Sequence, residues 1–159
     1  MIGLFKKKDI ILKSICVGKI IPIEQVEDKM FSKKLLGDGV GFVLEDSILY
    51  APCDGEIVML APTKHAIGMK LKNNAEILIH CGLDTVNLNG EGLNMLVSSG
   101  EKVKAGQKML EIDMDLMKQK NICLTTPMIL TSQEGYSIDV LNNNGKVTLN
   151  DDVIHIIKK

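Results

Sequence analysis

Glu76-Ile77-Leu78-Ile79-His80-Cys81-Gly82-Leu83-Asp84-Thr85-Val86-Asn87-Leu88-Asn89-Gly90 joins an apolar run to a glycine turn and a second apolar run. Alternation places Ile77, Ile79 and Cys81 on one face, which reads as core, and Leu78 and His80 on the other. An imidazole with an ordinary pKa of about 6.5 is mostly neutral near pH 7 and can act as a nucleophile. Alternation alone is also satisfied by a structural histidine at a strand end. Working outward, Thr63-Lys64-His65-Ala66-Ile67 opens another strand-like run, and Lys72-Asn73-Asn74-Ala75 is a turn between the two. A hairpin through that turn brings His65 and His80 to one end of an antiparallel pair. Plain alternation puts His65 on the side of Ile67, Met69 and Leu71; a bend at Pro62 would be needed to bring it across.

The flanking chain is punctuated in the same way. Gly37-Asp38-Gly39, Ala51-Pro52-Cys53-Asp54-Gly55 and Asn142-Asn143-Asn144-Gly145 read as turns. Short β-rich runs lie between them, at 40–44, 48–50, 57–60, 93–97, 109–112, 121–126, 127–131, 137–141, 147–149 and 153–157. Residues 25–36 have the spacing of one or two short helical turns. Residues 114–120 are the best helix candidate, capped by Asp113 or Asp115. Gly18-Lys19-Ile20-Ile21-Pro22-Ile23 resembles Gly55-Glu56-Ile57-Val58-Met59-Leu60, a weak internal repeat. Many short strands with little helix predict an all-β fold, an antiparallel sandwich or barrel-like domain with a duplicated β motif and one or two short helices. The domain is expected over residues 10–159, behind a short tail at 1–9. Lys6-Lys7-Lys8 in that tail reads as a solvated terminus, with weak contact to anionic lipid as the sharper alternative.

Composition narrows the classes. A hydrophobic content of 45% suits a packed domain, and a net charge of -1 argues against a general nucleic-acid binder. The 19 basic residues are all Lys, so no guanidinium fork is on offer and a phosphate would be met by imidazole, backbone N–H or Lys. Cys16, Cys53, Cys81 and Cys123 form no C-x-x-C pair and read as buried thiols of a reducing cytoplasm. No apolar stretch approaches the roughly 18 residues of a membrane span, and no secretory leader is evident.

Taken in order, Gly37-Asp38-Gly39, Ala51-Pro52-Cys53-Asp54-Gly55, Thr63-Lys64-His65-Ala66, residues 79–86, Gly90-Glu91-Gly92 and residues 100–106 resemble the glucose-type enzyme IIA component of the bacterial phosphoenolpyruvate-dependent sugar phosphotransferase system. The resemblance spans nearly the whole chain. It implies an antiparallel β-sandwich that works as a cytoplasmic phosphohistidine carrier. His80 would take a phosphoryl group on Nε2 from the phosphocarrier protein HPr and pass it to a cysteine on the IIB domain of a sugar transporter. The Gly82 carbonyl would hold Nδ1–H of His80, His65 would stabilise the phosphoryl oxygens, and Thr63 would hold the far nitrogen of His65. Asp28, Phe31, Leu35, Leu36, Leu78, Asp84 and Val86 would meet partners. Ala61, Ile67 and Leu78 stand where the family often has phenylalanine around the site, so the docking surface should be aliphatic. No cofactor is implied and no fused IIB or IIC segment is expected. Membrane contact would come only through the transporter, and zinc only as an ion shared by His65 and His80 with a partner.

Two other classes compete. Residues 100–110 resemble the strand–turn of biotinyl- or lipoyl-type carriers, with Lys118 as a modifiable lysine, although Lys118 lies in the helix-like segment. A zinc hydrolase of similar β architecture would need three protein ligands, and neither H-x-H nor H-x-x-x-H spacing occurs. His155 has no constellation around it and reads as structural or exposed.

Overall fold

The computed structural model describes residues 9–159; the lysine run of the tail lies outside the described residues. The strands are β1 (Ile10–Lys13), β2 (Gly18–Pro22), β3 (Asp38–Leu44), β4 (Ile48–Tyr50), β5 (Gly55–Leu60), β6 (Ala66–Leu71), β7 (Glu76–His80), β8 (Leu93–Met95), β9 (Lys102–Val103), β10 (Lys108–Ile112), β11 (Thr125–Leu130), β12 (Tyr136–Val140), β13 (Gly145–Val147) and β14 (Asp152–Lys158). The helices are α1 (Lys29–Ser32) and α2 (Met114–Gln119), with 3-10 turns at Ile23–Gln25 and Thr85–Leu88. Every strand pair is antiparallel. This is the all-β sandwich expected from the short runs and glycine turns.

One sheet has eight strands in the order β13-β2-β3-β11-β7-β6-β5-β9. Two three-stranded sheets, β4-β10-β8 and β1-β14-β12, complete the fold. The hydrophobic core draws on all three sheets: Phe42, Ile57, Met69, Ile77 and Ile79 from the large one, Leu49, Met109 and Leu110 from the second, Leu12, Ile154 and Ile156 from the third. Burying these apolar side chains is the main stabilising term, each contributing about 1.5–3 kcal/mol relative to exposure.

The large sheet reads alike from both ends. Each end has a very short edge strand, then a strand opened by glycine, the antiparallel strand that follows it in the chain, and a central strand. The repeat seen in the sequence falls on the two glycine-opened strands, β2 and β5. A Cβ at Gly18 would lie 2.2 Å from the Val43 carbonyl oxygen and one at Gly55 2.8 Å from that of Lys70, so both positions exclude a side chain for one reason: a neighbouring strand passes too close.

Local rules account for the helices. Asp28 caps α1 by accepting from Met30 N at 2.9 Å, and Asp113 caps α2 by accepting from Leu116 N at 3.1 Å. The expected strand over 121–126 is corrected: β11 begins only at Thr125. Asn121 takes a left-handed φ of 54° as the chain leaves α2, which stops an extended run from starting there. His155 is half-buried on β14, its Nε2 3.6 Å from an Asp9 carboxylate oxygen.

Candidate functional site

The site lies on the face of the large sheet turned away from the main core. Glu76, Leu78 and His80 alternate onto that face of β7, and their partners on β6 are Lys70, Gly68 and Ala66. A small satellite cluster covers the neighbouring strands: Ile23, Val26, Phe31 and Ile129, with Ile21, Leu78 and Leu83 packed against it. Its edge is the ring of Phe31, centred 5.2 Å from that of His80 and tilted by 57°. His65 also stands against His80, its ring centroid 4.8 Å from that of His80 and its plane inclined at 74°.

His65 reaches this face because the strand period does not extend back to it. The chain leaves β5, turns through Ala61–Lys64 with Lys64 N bonded to Ala61 O at 2.8 Å, and Lys64 takes a left-handed φ of 63°. β6 starts after His65, and Ala66, not His65, is paired with His80. A single left-handed residue therefore does what a bend at Pro62 was expected to do. The His65 carbonyl stays in the ladder, accepting from Cys81 N at 2.6 Å.

The tautomer of His80 follows from its partner. Its Nδ1 lies 2.7 Å from the Gly82 carbonyl oxygen, which can only accept. In the neutral ring the proton therefore sits on Nδ1 and the lone pair on Nε2. His65 Nδ1 lies 2.5 Å from the Thr63 hydroxyl, which can donate or accept. Burial, and the nearby positive charge that a protonated His80 would carry, push the His65 pKa below its ordinary value. Cys81, next to His80 in sequence, points the other way and is 1% exposed; burial pushes its thiol up to about 12, so it is no competing nucleophile at neutral pH.

The expected site residues divide by position. His80, His65, Thr63 and Gly82 converge. Phe31, at 3% exposure, lines the site and leaves little surface for a visitor. Leu35, Leu36 and Val86 are 61%, 38% and 44% exposed, and Asp84 is exposed beside them in sequence to Val86. Asp28 is half-buried and its carboxylate is engaged as the α1 cap; Leu78 is half-buried against the satellite cluster. Ile67, expected near the docking surface, is instead 1% exposed in the main core, because it lies one residue off the Ala66–Gly68 face. Missed by the sequence were Val58 and Met59, both exposed at a β-bulge on β5, and Thr126, buried beneath the Gly82 turn. A cavity of about 480 Å³ is lined by Asp54, Glu56, Lys70, Lys72, Lys102 and Lys104 among others; it contains neither histidine. Both histidines are half-buried on their face of the sheet, with part of each ring left to solvent. Among the described residues no group of three His, Cys, Asp or Glu is placed to hold a metal, so these residues by themselves do not make the three-ligand set of a catalytic zinc.

The β-sandwich thus holds two adjacent imidazoles, and in the neutral His80 ring the lone pair is on Nε2. Residues 10–136 match the family model described as phosphoenolpyruvate-dependent sugar phosphotransferase system, EIIA 1. The chain belongs to that family, the glucose-type enzyme IIA phosphotransferase components. Among solved structures it is similar to glucose permease IIA from Mycoplasma capricolum, with 33% identity and a TM-score of 0.88 over 98% of this chain and 99% of that one. A weaker match, to Csd3 from Helicobacter pylori at 10% identity and a TM-score of 0.42, covers 87% of this chain and 36% of that one and bears on nothing further. Among the described residues no helix is long and apolar enough to cross a membrane.

Proposed function

We propose that the chain is a phosphohistidine carrier that takes a phosphoryl group from phospho-HPr onto His80 and passes it to a cysteine on the IIB domain of a glucose-type sugar transporter. The observation that carries this is the pair of contacts on one ring: His80 Nδ1 bound to the Gly82 carbonyl, and the His65 ring at van der Waals range. The Nε2 lone pair attacks phosphorus; the bond from phosphorus to the donor atom breaks, and its electron pair leaves with the donor. No proton need leave His80, because the one proton of the neutral ring is already on Nδ1. In the second step the IIB thiolate attacks phosphorus, the N–P bond breaks, and the electron pair returns to Nε2.

His65 serves both steps. When its Nδ1 accepts from the Thr63 hydroxyl, its own proton is on Nε2, a donor for the phosphoryl oxygens as charge shifts in transfer. Burial, with the charge that a protonated His80 would carry, lowers the His65 pKa and so favours the neutral ring; the tautomer is chosen by the Thr63 contact. Without Arg, this imidazole N–H takes the role that a guanidinium plays in other phosphoryl-transfer sites. Leu35, Leu36, Val86, Val58 and Met59 are exposed apolar side chains that would meet a partner, and exposed Asp84 would add a negative charge. No cofactor enters either step; zinc could be held by His65 and His80 only with ligands from a partner.

The test is substitution followed by label transfer. His80→Ala is expected to take no label from phospho-HPr. His65→Ala is expected to accept label but to pass it to IIB about a hundredfold more slowly, the usual cost of removing one preorganised donor. Uptake of label by His80→Ala rejects the assignment. A covalent cofactor on Lys118, visible by intact mass, would favour the biotinyl- or lipoyl-type reading instead.

A further inference from the structure

Both peptide units that flank Gly82 are pinned from outside β7. The Gly82 N–H donates to the Thr126 hydroxyl at 3.1 Å, and that hydroxyl donates in turn to the Leu124 carbonyl at 3.0 Å. The Leu83 N–H donates to the Cys123 carbonyl at 3.1 Å, and the Thr85 hydroxyl donates to the Cys81 carbonyl. Thr126 and Thr85 are both fully buried. This harness exists because β11 pairs with β7 only through Met128–Leu130. Pro127 follows Thr126 and has no N–H for a ladder, so at the end of β7 the side chain of Thr126 takes over the role that strand pairing plays elsewhere.

We propose that Thr126 is a positioning residue for phosphoryl transfer: by holding the Cys81–Gly82 peptide it aims the Gly82 carbonyl at Nδ1 of His80 and so keeps Nε2 free of a proton. The inference rests on His80 being the acceptor. Gly82 has a left-handed φ of 69° and no side chain to brace it, so its carbonyl direction depends on the two neighbouring peptides. One of those is held by the Thr126 hydroxyl. Hydrogen bonds linked through peptide groups also polarise one another: Leu83 N–H bound to Cys123 makes the Gly82 carbonyl, in the same peptide, a stronger acceptor for His80. The acceptor tautomer is thus set from β11, 44 positions away along the chain.

The experiment uses the full chain carrying Thr126→Val, which removes the hydroxyl at nearly constant volume, and Thr126→Ser, which restores it. The first readout is the ring 15N spectrum of His80 in the unphosphorylated protein. Wild type and Thr126→Ser should show one tautomer, protonated at Nδ1. Thr126→Val should show averaged ring shifts, and its initial rate of label uptake from phospho-HPr should fall about tenfold, as expected for one buried hydrogen bond to a peptide group. Thr126→Ala carries the same test if the valine variant fails to fold. A Thr126→Val or Thr126→Ala spectrum identical to wild type overturns the proposal, even where transfer is slower, because a merely structural role would leave the tautomer alone. The ring spectrum needs no partner, so its outcome is read independently of whether His80→Ala takes up label.

Discussion

Gly82→Ala puts a methyl group where the site has no room for one. Gly82 has a φ of 69°, and a Cβ built there would sit 2.7 Å from Thr85 Cγ2 and 2.8 Å from the Cys123 carbonyl oxygen. The backbone cost of a left-handed alanine is about 1–2 kcal/mol. The two short contacts add roughly 1–3 kcal/mol, since one neighbour is a fully buried side chain and the other is backbone already bonded to Leu83 N. Gly106 separates the two terms: its φ is 83°, but nothing lies within 4 Å of its Cβ position. Gly106→Ala should therefore lose only the backbone part. At roughly 2–4 °C per kcal/mol for a domain of this size, the melting temperature should fall by about 2–8 °C for Gly106→Ala and about 4–20 °C for Gly82→Ala. The functional loss should follow the same division. Relief of the clash rotates the Gly82 carbonyl away from His80, so uptake of phosphoryl label should drop at least about tenfold at a temperature where both variants are folded, while Gly106→Ala keeps the wild-type rate. Equal melting temperatures for the two variants, or a wild-type rate in Gly82→Ala, would refute the reasoning.

Further expectations concern the rest of the site. Phe31→Ala should destabilise the domain by about 2–4 kcal/mol, below the full-core range because the satellite cluster is small and can collapse, and urea unfolding measures it. Leu35→Asp and Val86→Asp should change unfolding free energy by no more than about 0.5 kcal/mol, since both side chains are exposed; each should raise the apparent KM for phospho-HPr with little change in the maximal rate, as read from label-transfer kinetics. The pKa of His65 is depressed on folding, so between its folded and ordinary values the unfolded chain binds more protons. The His65 contribution to stability should be complete above about pH 6.5 and fade as pH falls below it, and NMR titration should place the His65 midpoint under that of an exposed histidine. Thr63→Val should lose part of what His65→Ala loses in transfer to IIB, because it frees the His65 tautomer without removing the ring.

The sheet was legible from short apolar runs and glycine turns, and His80 from a run that alternates cleanly up to a Gly-x-Asp turn. The capped α2 was legible because an aspartate precedes a helix-compatible segment. The side on which His65 lies was not: the reversal depends on Lys64 adopting a left-handed φ, and a lysine gives no warning of that as a glycine would. Thr126 was invisible for another reason. In Thr125-Thr126-Pro127 it looks like any β-branched strand residue, and its meaning comes only from a hydrogen bond to a glycine far back in the chain. Phe31 illustrates a third limit. Its place beside His80 could be expected, but whether it faced outward depended on how residues 23–36 fold over β3 and β11.

The most direct measurement is 31P–1H correlation NMR of the protein after phosphorylation through phospho-HPr. The expected spectrum shows one phosphoryl group, coupled to the ring protons of His80 in the pattern of an Nε2 phosphohistidine. A phosphoryl group on Nδ1 of His80, on His65, or on any residue outside the pair would contradict it.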